Sequence, residues 1–249
     1  MALMGKYIYC FIREPEKLTF GTSMIGNLNA PVYTIPYKDI SAVVSNAPII
    51  DYDPIRKNIL AYQRIINKVM EKYAIIPVAF GTVVNNKKEI EDLITFNYDK
   101  FINLADYFKD KIELGLRVTW HKDFFNTDIE DDEIKRLKEI VSGKEEKQVL
   151  NEKIQLGQLV EASILSKREE YLNKIYNTLK KLSVDSKHKD KIAIKTVFNA
   201  YFLIEKSMGA AFDKEVEALV NLYGNKLVLN YTGPWPPYNF IDADINIKR

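Results

Sequence analysis

The residues whose chemistry could make a site are few and scattered. The two histidines, His121 and His188, have no carboxylate or cysteine at ligand spacing, so neither a zinc site nor a histidine-based triad has a motif behind it. The carboxylate run Glu130-Asp131-Asp132-Glu133 lacks the spaced ligands and the glycine of a calcium loop. Acidic residues favour the first turn of a helix through its dipole, and this run reads as a solvated helix start. Lys187 to Lys191 is basic enough to touch an anion, but it carries Asp190 and reads as a solvated loop. The glycines form neither a dinucleotide fingerprint nor a phosphate loop. Cys10 is the sole cysteine and lies in an apolar run, which leaves no disulfide framework and no thiolate cluster and fits a reducing cytosol. The expectation is no catalytic residues, no metal and no cofactor.

Charge and hydropathy exclude further classes. Thirty-six Lys plus Arg against 34 Asp plus Glu leave a formal charge of +2, too small and too dispersed to mark a nucleic-acid partner. No apolar run reaches the roughly 18–20 residues of a membrane span. The N-terminal run Tyr7–Ile12 is too short for a signal segment. A content of 47% hydrophobic and 28% charged residues supports a folded chain with a sizeable core. At 249 residues it is long enough for two domains, expected over 1–122 and 123–249.

The elements that would position a site follow from periodicity. Tyr7–Ile12 reads as a core strand, and Val32–Ile35 and Ile40–Val44 as a hairpin around Pro36–Asp39. Asp53 and Pro54 have the chemistry of an N-cap and first helical position, before apolar residues recurring at helical spacing from Ile55 to Met70. Ala74–Phe80 is apolar and contains Pro77, which fits an edge strand or an extended segment. Lys87–Thr95 and Tyr98–Phe108 read as helices broken at Asn97, and Ile112–Trp120 as an alternating strand. This order suits an α+β sandwich with helices on one face of an antiparallel sheet.

In the second half, a helix to about Ser142 ends at Gly143, and a long helix is expected over 148–182. Such a helix, about 50 Å at 1.5 Å per residue, outruns a small core, so its outer turns should pair with the preceding helix or with a partner. A strand at Ile192–Leu203, a helix at Asp213–Tyr223 and a strand at Leu227–Tyr231 complete the half. Fifteen Tyr, 12 Phe and two Trp are more than a minimal core needs, and aromatic side chains dominate protein interfaces. Trp235, with prolines on both sides, is held in an extended segment that cannot join a central strand.

Three stretches taken in order carry a resemblance: Ile76-Pro-Val-Ala-Phe-Gly-Thr82, Glu113-Leu-Gly-Leu-Arg-Val-Thr-Trp120 and Gly233-Pro-Trp-Pro-Pro-Tyr-Asn-Phe240. With the Tyr-Ile-Tyr opening strand and the long helix around Gly157, they cover nearly the whole chain, which resembles the GvpF/GvpL family of gas vesicle proteins. Its length and short C-terminal tail are nearer the F than the L members. Where the family pattern often has an arginine before Phe-Gly-Thr and an acid after the tryptophan, this chain has Ala79 and His121.

The resemblance implies a two-domain α+β fold with a ferredoxin-like C-terminal domain, a long helical hairpin and a C-terminal tail. It implies no catalysis. The implied role is a minor gas vesicle component or assembly factor in the cytoplasm or at the gas vesicle. The implied partners are the hydrophobic shell protein GvpA and other accessory gas vesicle proteins, met through Phe80, Gly81, Thr82, Trp235, Pro236, Pro237 and Tyr238. A shell subunit with a large apolar face aggregates unless shielded, and aromatic, uncharged surface suits that task. A ligand-binding or enzymatic ferredoxin-like protein is the alternative, because that fold hosts many unrelated functions.

Overall fold

The computed structural model describes residues 3–122, 132–142, 149–189, 193 and 195–241. The chain divides into two compact units, 1–113 with 234–249, and 114–233. The sequence places the boundary after residue 122 and the tail in the second half. In the structure the tail groups with the first unit, and the second unit is a continuous insert.

In the first unit, β1 (Met4–Arg13) is the spine of an antiparallel sheet ordered β2-β3-β4-β1-β5, with β6 also pairing β1. β2 spans Thr19–Ser23, β3 Ala30–Tyr37, β4 Ile40–Pro48, β5 Ile76–Pro77 and β6 Val83–Val84. Tyr7 through Ile12 are all fully buried. Strands buried on both faces read as continuous apolar runs, and helices here cover both faces rather than one. Tyr62, Ile65, Ile66 and Val69 of α1 (Arg56–Met70) join Tyr7 and Tyr9 in one core. Ile90 and Ile94 of α2 (Lys87–Phe96) and Phe101 and Ala105 of α3 (Tyr98–Phe108) join Ile8 and Phe11 in the other.

A register shift between Ile8 and Cys10 places Tyr9 and Cys10 in the same core, as a bulge does when it interrupts alternation. α1 begins two residues later than its sequence signals place it. Arg56 is its first residue, and the Asp53 carbonyl accepts from Asn58 Nδ2 at 3.0 Å. Asn86 caps α2 by accepting from the Glu89 amide at 3.1 Å, while Glu89 reaches back to the Asn85 amide at 2.9 Å. β5, carrying Pro77, is the edge strand that the proline requires.

The second unit is built on a four-stranded sheet ordered β10-β7-β9-β8. β7 spans Lys111–Trp120, β8 Asp185–Lys189, β9 Thr196–Glu205 and β10 Leu227–Trp235. Helices between β7 and β8, and α6 (Gly209–Tyr223) between β9 and β10, complete the βαββαβ order of a ferredoxin-like fold. A helical hairpin fills the first crossover. α4 (Asp132–Val141) packs on α5 (Leu150–Tyr171), which continues through a π turn (Leu172–Tyr176) to Lys180.

The π turn lets Ile175 and Tyr176, adjacent in sequence, both be buried beside Tyr171 and Leu179. Lys187 to Lys189 lie in β8 rather than in a loop. β8 is an edge strand paired with β9 alone, a place where lysines are favoured because they discourage further pairing. Gly143, Lys191 and the start expected for β9 at Ile192 fall outside the described residues, as do Glu130 and Asp131, while Asp132 and Glu133 open α4.

Candidate partner-binding surface

Residues 79–82 form a turn that explains each residue of Phe-Gly-Thr. The Ala79 carbonyl accepts from the Thr82 amide at 3.3 Å and from Thr82 Oγ1 at 2.6 Å. Gly81, at φ +83°, occupies the position where a type II turn needs a left-handed residue. The Gly81 amide donates to the Tyr7 hydroxyl at 3.0 Å, and the Thr82 carbonyl accepts from the Ile8 amide at 2.9 Å. The turn is thereby pinned to β1 from two sides.

Phe80 enters a cluster of tyrosines. Its ring lies 5.5 Å from that of Tyr62 and 6.3 Å from that of Tyr7, both edge-on. Tyr9 and Tyr52 pack on Tyr7 at 5.0 and 5.2 Å, distances favourable for aromatic pairs. Tyr9 Oη pairs with Ser45 Oγ at 3.0 Å, and Tyr52 Oη donates to the Pro48 carbonyl at 2.8 Å.

The tail reaches the same cluster. Trp235 ends edge strand β10, half-buried, and Pro236 and Pro237 are buried behind it. Pro237, at φ −74° and ψ 59°, sits in an inverse γ-turn that its ring favours, and the Tyr238 amide donates to the Pro236 carbonyl at 2.7 Å. Tyr238 then turns inward, its hydroxyl 2.8 Å from that of Tyr62, although the residue as a whole remains 39% exposed. Asn239 anchors the turn: its amide and Nδ2 donate to the two carboxylate oxygens of buried Glu113 at 2.8 and 2.6 Å.

Phe80 and Tyr238 therefore meet on Tyr62. Gly81 and Thr82 hold Phe80 there, Pro236 and Pro237 aim Tyr238, and Trp235 stands at the entry to the tail. Sequence reasoning missed Tyr7, Tyr62 and the Glu113–Asn239 clamp. Glu113 and Asn239 each stood inside a motif stretch, but their pairing gives no local signal.

Burial dominates the electrostatics of the cluster. Burial, partly offset by the Tyr62 hydrogen bond, pushes the Tyr238 hydroxyl up to about 12. Burial also pushes Tyr62 and Tyr7 further up, and Cys10 is raised by the same cause. At neutral pH these phenols are uncharged. Among the described residues no group of three or more His, Cys, Asp or Glu is placed to hold a metal, and no helix is long and apolar enough to cross a membrane.

This geometry defines an α+β protein of two antiparallel sheets, one ferredoxin-like, with a C-terminal tail folded onto an aromatic cluster. The chain belongs to the gas vesicle synthesis protein GvpL/GvpF family, whose profile matches residues 5–242. It is similar to gas vesicle protein F1 of Halobacterium salinarum, 22% identical over 250 residues, covering 99% of this chain and 98% of that one. It is also similar to gas vesicle protein F of Dolichospermum flosaquae, 25% identical, covering 95% and 98%. The fold matches the crystal structure of GvpF from Anabaena sp. PCC7120 with a TM-score of 0.80 at 22% identity, covering 96% of this chain and 98% of that one. It matches GvpF from Microcystis aeruginosa with a TM-score of 0.77, covering 95% and 98%.

Proposed function

We propose that this protein is a non-catalytic accessory factor of gas vesicle assembly that binds the hydrophobic shell protein GvpA and limits its aggregation before it joins the wall. Membership of the GvpL/GvpF family along nearly the whole chain supports the gas vesicle role. The observation that carries the finer reading is the convergence of Phe80 and Tyr238 on Tyr62, with Tyr238 still partly open to solvent. A surface of rings and uncharged hydroxyls covers apolar area without placing a charge against it, which would cost desolvation. The contact residues are Phe80, Gly81, Thr82, Trp235, Pro236, Pro237 and Tyr238. The protein acts in the cytosol and at the gas vesicle, alongside other accessory gas vesicle proteins.

Co-expression with GvpA tests this reading. The wild-type chain is expected to raise the soluble fraction of GvpA and to be recovered with it. A Trp235→Ala/Tyr238→Ala variant that keeps its far-UV circular dichroism is expected to lose at least about tenfold in affinity, as when two aromatic anchors are removed. Undiminished binding by that folded variant would move the contact elsewhere, and failure of the wild-type chain to bind GvpA would overturn the reading.

A further inference from the structure

The face of α1 that looks away from Tyr62 is cationic. Lys57, Arg64 and Lys68 recur at i, i+7 and i+11, on one stripe about 17 Å long at 1.5 Å of rise per residue. Leu60, 53% exposed, lies between them on the same stripe. All three cations are exposed, and among the described residues none is paired with a carboxylate. Lys57 donates to Asn27 Oδ1 at 2.6 Å, a neutral acceptor that leaves its charge uncompensated. Glu71, at the C-terminal end of the stripe, is likewise in no ion pair among the described residues.

This arrangement costs the isolated chain stability. Arg64 and Lys68 are like charges at i, i+4 spacing, which destabilises a helix. Arg56 and Lys57 occupy the first two helical positions, where the macrodipole disfavours cations, and the first turn holds no acid. Charges are balanced on α2, where Lys87 pairs with Glu91, and at the end of α5, where Glu170 pairs with Lys167 and Lys174.

We propose that this stripe docks an acidic amphipathic helix of a partner protein, with carboxylates facing Lys57, Arg64 and Lys68 and an apolar residue seated on Leu60. The cations stand one to two helical turns apart, a spacing that carboxylates along a facing helix reproduce. Leu60 in the middle of the stripe offers nothing to a phosphate backbone or a lipid headgroup, and Glu71 repels both. Each suits a segment that carries apolar and polar residues together with its acids. Leu60 and Arg64 lie about 160° around the helix from Tyr62 at 100° per residue, so this contact is separate from the aromatic surface and does not depend on the GvpA reading.

Fluorescence anisotropy of the full chain with a labelled synthetic helix, bearing a row of leucines flanked by glutamates, tests the proposal. The expected result is saturable binding that weakens as salt is raised, because charge pairing at a surface is screened. Arg64→Glu should weaken binding at least about tenfold by placing like charges across the contact. It should preserve or raise the thermal midpoint, because it sets a carboxylate four residues before Lys68, the favoured order on a helix. Misfolding cannot produce that combination. Leu60→Ser should also weaken binding while leaving its salt dependence unchanged. Absence of peptide binding, binding undiminished by Arg64→Glu, or tighter binding of a single-stranded oligonucleotide or of phosphatidylserine vesicles at the same ionic strength would overturn the assignment.

Discussion

A phenol is costly to ionise where water cannot reach the resulting charge, and Tyr7, Tyr62 and Tyr238 are linked through that constraint. In the unfolded chain each loses its proton near about pH 10, whereas in the fold each keeps it to higher pH. The unfolded state thus binds fewer protons above about pH 10, and stability falls with rising pH in that range. The contribution is fully present below the unfolded value and is lost as pH rises through the folded ones, about 12 for Tyr238. Denaturant midpoints are expected to be level up to about pH 9 as far as these groups are concerned, and to drop beyond it. Tyr62→Phe removes one of the three and should make the drop shallower. A decline as steep in Tyr62→Phe as in wild type would place the alkaline sensitivity in other groups.

At the scale of elements, the tail is held by a buried carboxylate more than by regular structure. Glu113 is 2% exposed and takes both Asn239 donors, so Glu113→Ala leaves an amide and a side chain without their acceptor. Hydrogen bonds to charged groups are worth roughly 1.5–3 kcal/mol, and a loss on the order of 2 kcal/mol is expected in chemical denaturation. Limited proteolysis should cut the variant near residue 239 while the wild-type tail resists. Equal resistance would show that the buried prolines alone suffice to hold it.

Elements with strong periodicity were legible in the sequence, among them β1, the β3–β4 hairpin, α2, α3 and the long helix. β2, β6 and β8 were not. β8, Asp-Ser-Lys-His-Lys, has no apolar alternation and owes its strand state to pairing with β9. The second helical layer on the first sheet was also missed, because a fully buried run such as Tyr7–Ile12 does not say what covers each face. Of the candidate surface, the motif residues were visible through their resemblance. The bonds that hold them span 74 residues from Tyr7 to Gly81 and 126 from Glu113 to Asn239, and local pattern carries no trace of such pairings.

For the whole molecule, order along the chain and grouping in space differ. The second unit is inserted between Glu113 and Pro234, and the two chain segments flanking it contribute to one compact unit. A continuous insert with its own four-stranded sheet and a complete βαββαβ order meets the conditions for independent folding. Residues 111–234, which retain β7 and nearly all of β10, are therefore expected to unfold cooperatively when expressed alone, with matching transitions by near- and far-UV circular dichroism. All seven proposed contact residues group with the first unit, so this fragment should fail to keep GvpA soluble at concentrations where the full chain does. A folded fragment that protects GvpA as well as the full chain would transfer the contact to the ferredoxin-like unit.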